Sequence, residues 1–82
     1  MKTEISSLFS LNVYTESGIY VGKINDIVID VNKRKVTELG LFDINRTIHD
    51  VPTPGILIPY RLIVSIGDIV IVRDVVGKSI HA

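Results

Sequence analysis

Three groups of residues in this 82-residue chain have types and spacings that could do chemistry: a pair of acids, a histidine beside an aspartate, and a run of cations. Asp26 and Asp30 stand four apart in "GKINDIVID". On a strand that spacing separates them by about 13 Å, too far for two carboxylates to share one proton. Asp26 is instead expected to bind backbone beside a bend, and Asp30 to open the following turn. "RTIHD" brings Arg46, His49 and Asp50 together, a pattern that suggests a general base or a metal ligand. No nucleophile signature accompanies it, and the second histidine, His81, is far from ligand spacing. His49 is therefore expected to be a solvated loop residue. The run Lys33-Arg34-Lys35 could touch phosphate, with Arg46 or Arg61 extending the patch. A charged turn also discourages edge pairing, and no interleaved aromatics are present to stack bases. The six glycines fall singly, so there is no phosphate-cradling loop, and no nucleophile elbow, zinc-protease or EF-hand motif occurs. No catalytic, cofactor or metal site is predicted, and the chain is expected not to be an enzyme.

The elements that carry these residues follow from composition. Fourteen Ile and eleven Val stand against six Leu, and the single Ala is the last residue. Side chains branched at Cβ lose rotamer freedom in helices and pack well on pleated strands, so an all-β domain is predicted. The length allows one domain, with a core over about 8–73 and a fraying tail over 74–82. There are no cysteines, which excludes disulfides and thiolate metal sites and fits a cytoplasmic protein. No apolar run reaches the ~18 residues of a membrane span, and the first residues carry no signal-peptide block; no direct membrane insertion is expected. Nine basic residues balance nine acidic ones, against the basic excess of a dedicated nucleic-acid binder.

Strand patterns recur at short intervals. They cover Ser10–Thr15, Ile19–Asp30, Val36–Phe42, a short "ILIPY", Ile63–Ile66 and Ile69–Arg73, with a long loop over 43–55. Gly18 supplies the first turn, Pro59 ends the short strand, and Gly67-Asp68 centre the last hairpin. Gly22 interrupts the long strand. Strict alternation from Val21 would place Lys23 among apolar residues, whereas one extra residue at Gly22 puts Val21 and Ile24 together inside. Beyond it, Ile27 and Ile29 are expected to face away from Ile24 and Val28, leaving both faces apolar. The same holds for Ile69–Val72. A small barrel has one interior, and an apolar content of 46% with mean hydropathy +0.40 is high for so short a chain. That surface is expected to be covered by the 43–55 loop, the C-terminal tail or, most economically, another chain, with Ile27, Ile29, Val70 and Val72 as the contact residues.

"VYTESGIYVGKINDIVIDVNKRKVTELGLF" followed by "ILIPYRLIVSIGDIVIV" resembles a PRC-barrel domain over about Leu8–Arg73. The resemblance implies a small, mostly antiparallel β-barrel of about six strands. Gly18, Gly22, Pro59, Tyr60, Gly67 and Asp68 then hold structural positions, with no shared catalytic set. It also implies a docking module. Stand-alone barrels of this length resemble archaeal proteins, some of which bind the SepF-type anchor of the cell-division ring. Such a module would be a homodimer, or a heterodimer with a paralogue, recruited to the division site through its partner. The alternative is a ribosome-assembly or RNA-associated module, resembling the PRC-barrel half of a ribosome-maturation factor, that uses Lys33, Arg34, Lys35 and Arg46.

Overall fold

Branched side chains recur in every strand of the computed structural model, which describes residues 5–50 and 52–77. The strands are β1 (Asn12–Thr15), β2 (Tyr20–Asp30), β3 (Lys35–Phe42), β4 (Gly55–Pro59), β5 (Ile63–Ile66) and β6 (Val70–Val72). Three short 3-10 turns, Ile5–Leu8, Tyr60–Leu62 and Asp74–Gly77, are the only helical segments among the described residues. All six strands form one sheet in the order β4-β3-β2-β1-β6-β5. Neighbours are antiparallel except β1 and β6, which pair in parallel through Val13↔Val70 and Thr15↔Val72. This first-to-last pairing was not expected from the hairpin pattern of the sequence.

The sheet must curl. Its outer strands, β4 and β5, are consecutive in sequence and joined only by Tyr60–Leu62. A link that short spans at most about 14 Å, whereas the edges of a flat six-stranded sheet lie about 24 Å apart. The result is a barrel-like roll whose β4 and β5 edges approach without a ladder between them, so the sheet is not closed.

Bulges supply the bend. Val13 pairs with Gly22 and Tyr14 with Tyr20, so Val21 is the extra residue on β2. Val21 and Ile24 are both buried, as the expected irregularity requires. Gly22 matters for close approach: a Cβ there would meet the Phe42 carbonyl oxygen at 3.1 Å and the Leu41 Cβ at 3.3 Å. A second bulge, at Asn25, lies between the pairs Ile24↔Leu41 and Asp26↔Gly40. It reverses the predicted facing of the distal half of β2. Ile24 and Ile27 now stand opposite Leu41 and Leu39, and directly paired side chains share a face, so Ile27 turns towards the core.

The core draws on Val13, Val21, Ile24, Leu39, Leu41, Ile58, Val70 and Val72 from the strands. Leu8 and Val76 close it from the two terminal 3-10 turns. The expected fraying from Asp74 onward is therefore corrected for 74–77; residues 78–82, with His81, lie outside the described residues. Asp74 also accepts from the Ser17 N–H at 2.9 Å and ties this turn to the first hairpin. That hairpin turns as predicted at Gly18, whose φ of 88° falls in the region a glycine tolerates best. The last hairpin differs slightly: its loop spans 67–69, with Gly67 N–H bonded to the Ile69 carbonyl at 2.9 Å, and β6 starts at Val70.

Candidate functional site

The residues singled out by type separate into structural and surface groups. Asp26 and Asp30 turn inward on their own backbone: Asp26 Oδ1 accepts from the Ile27 N–H at 2.9 Å, and Asp30 Oδ1 from the Lys33 N–H at 3.0 Å. Both bonds are the local roles their positions predicted, one at a bulge and one at a turn.

His49 is a correction. It is 3% exposed rather than solvated, and its Nε2 lies 2.7 Å from the Val76 carbonyl oxygen. A carbonyl only accepts, so Nε2 carries the proton and donates. The loop that holds it does not float. Asn45 anchors it, donating Nδ2–H to the Tyr20 carbonyl and accepting from the Thr47 N–H through Oδ1. Ile44 is buried and Ile48 packs against the core. The ring is used as a bolt between the 43–55 loop and the last 3-10 turn, with no access to a substrate. Ile44 and Ile48, two apolar residues ahead of the histidine in a largely polar loop, were the available hint.

Two of the four expected contact residues are also corrected. Val70 and Val72 are 0% and 1% exposed, because β6 lies inside the sheet between β1 and β5 and turns both valines to the core. Ile27 is half-buried against the core, while Ile29 stays 45% exposed near the end of β2. Val70→Ser should therefore cost about 2–4 kcal/mol of stability, and Ile29→Ser less than about 0.5. Urea denaturation of the two variants distinguishes them, and equal midpoints would contradict the placement.

Besides Ile29, apolar surface remains free on the outer face of β3 and β4. The cross-strand rows Asp26↔Gly40↔Leu57 and Phe42↔Gly55 run across β2, β3 and β4. Leu39, Leu41 and Ile58 point to the core, so the alternate residues Gly40, Phe42 and Leu57 face out. Gly40 and Gly55, diagonal to each other across β3 and β4, leave a floor without side chains. Over it lies a depression of about 420 Å³, rimmed by Phe42 (39% exposed), Leu57 (55% exposed), Pro54 and Asp26.

The cations do not make one patch. Lys33 and Lys35 come together with Arg61, Pro59, Tyr60 and Thr37 around a second depression of about 380 Å³. Arg34, at the same tip, takes a φ of 53°. Arg46 is at the opposite end of β3: its Nη1 donates to the Thr53 carbonyl at 3.0 Å, two residues before the Gly55 that pairs with Phe42. About 23 Å of strand separates the two ends.

One titrating group is set by its surroundings. Burial, then the Asp43 charge, then a hydrogen bond to Asp43, then Tyr14 push the Tyr20 hydroxyl above the usual tyrosine range. The hydroxyl donates to the Asp43 carbonyl at 3.1 Å, and its ring meets Tyr14 edge-on at 5.5 Å. In the unfolded chain tyrosine loses its proton near pH 10, before the folded protein does. Stability is then full below about pH 10 and falls as pH rises through the raised folded value. Tyr20→Phe should flatten that alkaline decline in pH-dependent denaturation; an unchanged slope would contradict it.

Among the described residues no three His, Asp or Glu side chains gather as a metal site, and no helix is long and apolar enough to cross a membrane. The PRC-barrel domain family matches residues 2–78, nearly the whole chain. No curated protein matches it.

Proposed function

Because the chain belongs to the PRC-barrel family, a fold of small interaction modules, we propose that it is a non-enzymatic adaptor. It self-associates, as a homodimer or with a paralogue, and docks onto a SepF-type anchor of the archaeal division ring. The observation that carries this reading is the outward depression over Gly40 and Gly55, where Phe42 and Leu57 stand exposed on β3 and β4 and no described residue covers them. Burying either side chain fully is worth roughly 1.5–3 kcal/mol before association costs. The engagement of His49 by Val76 supports the non-enzymatic part, since the best candidate base is enclosed and bonded. The two ends of β3 divide the cations, so Lys33, Arg34, Lys35 and Arg46 give no continuous track for nucleic acid.

Sedimentation at micromolar concentration tests the association, and titration with the purified anchor tests the docking. Leu57→Asp should shift the chain to monomer and weaken anchor binding at least about tenfold. Added salt should change the unaltered complex little, in contrast to a phosphate-driven one. A chain that is monomeric before substitution refutes self-association, and an anchor that does not bind refutes the docking.

A further inference from the structure

The depression between the β2–β3 turn and the β4–β5 corner combines charge and apolar surface in a way the adaptor reading leaves unused. Lys33 lies in the β2–β3 turn, Lys35 opens β3 and Arg61 lies in the Tyr60–Leu62 turn, and all three are exposed around the same hollow. None of the three is in an ion pair with a described residue. No carboxylate lines the hollow. Asp30, opposite Lys35 in the ladder, has turned Oδ1 to the Lys33 backbone, and Glu38, opposite Pro59, is not part of the lining. The chain as a whole has no net charge, so three unpaired cations here are a local concentration and not a share of a general excess. Between the cations lie Pro59 and Tyr60, the latter 37% exposed, which offer an apolar seat beside the charges.

We propose that this cleft binds an extended acidic segment of a partner protein, with carboxylates on Lys33, Lys35 and Arg61 and an apolar side chain against Pro59 and Tyr60. The inference rests on the adaptor reading and gives it a second contact surface. Two observations choose a peptide over nucleic acid. A nucleic-acid strand needs a basic track along its phosphates, and Arg46, which the sequence offered to extend the 33–35 run, lies at the far end of β3. An apolar seat set among the cations also suits a side chain between two acids better than a phosphate backbone. Arg61 adds a planar fork that binds a carboxylate through two parallel hydrogen bonds.

The test is a titration of the full-length, nitrogen-15-labelled chain with a short, end-blocked peptide alternating glutamate and leucine. The expected result is saturable shifts at the amides of Lys33, Lys35, Thr37 and Arg61. A glutamine version of the peptide should bind at least about tenfold more weakly, and Lys33→Glu and Arg61→Glu should each cost roughly tenfold. Both residues are exposed, so the variants keep a dispersed spectrum, and each is checked for it. Binding should also fall between 0.1 M and 1 M salt, as the Debye length shrinks from about 10 to about 3 Å. Absent shifts, shifts centred elsewhere, or equal binding of the glutamine peptide overturn the proposal. So does a single-stranded oligonucleotide that displaces the peptide and binds more tightly. The anchor titration keeps the two readings apart: if the unaltered chain does not bind the anchor while the peptide shifts appear, the docking fails and the cleft stands. Persistent anchor binding with no peptide response overturns the cleft alone.

Discussion

Gly40→Ala should lower the unfolding free energy by about 2–3 kcal/mol, and Asp26→Gly should return much of that loss. Gly40 lies in β3, held on one side by β2 and on the other by β4. A Cβ at this position would stand 2.8 Å from the Asp26 Cβ, far inside ordinary contact. Asp26 cannot rotate away, because its Cβ is fixed by the backbone next to the Asn25 bulge and its Oδ1 is engaged by the Ile27 N–H. Overpacking a site that cannot yield typically costs 1–3 kcal/mol. Asp26→Gly alone loses that hydrogen bond and adds backbone freedom, so by itself it should cost about 1 kcal/mol. The double variant should therefore be more stable than Gly40→Ala alone, which requires a coupling of about 2 kcal/mol or more. Additive losses in denaturant unfolding would mean that the two residues do not oppose one another across the ladder.

His49→Ala should be among the most damaging substitutions in the chain, at about 2–4 kcal/mol. It removes a buried ring and strands the Val76 carbonyl, which sits beside a core residue. A lost buried partner costs about 1–3 kcal/mol and the vacated volume adds to it. In a domain of this size each kcal/mol lowers Tm by roughly 4–8 °C. Two further variants separate the contributions. His49→Gln keeps a donor and should recover part of the loss, whereas His49→Phe fills the volume and leaves the carbonyl unpaired. If the alanine variant melts with the unaltered chain, His49 is not the bolt that its geometry describes.

The strand content was readable because branched residues and turn residues alternate at strand spacing, and because Gly18, Pro59 and Gly67 mark turns or strand ends that the structure keeps. The local roles of Asp26 and Asp30 were readable for the same reason: each bond spans at most three residues. What escaped was long-range. Ile69–Val72 is apolar at every position, so periodicity carries no facing, and only the parallel pairing with β1 shows that Val70 and Val72 are core. Ile27 was misassigned because the Asn25 bulge has no glycine to announce it, and one extra residue reverses everything beyond it. His49 and Val76 are 27 residues apart, and neither carries a local sign of the other. The basic cleft was half visible. Of the two cations the sequence offered to extend the cluster at 33–35, Arg61 joins it through the β4–β5 corner, while Arg46 is carried to the other end of β3.

The gap between β4 and β5 makes this roll a coil with a slit. Every other junction around the circumference must break a row of hydrogen bonds to separate, whereas this one is restrained only by side-chain packing and by three residues of chain. Thermal breathing should therefore start there, as a partial unrolling, and amide deuteration should advance from the two lips of the slit before it touches β1 or β2.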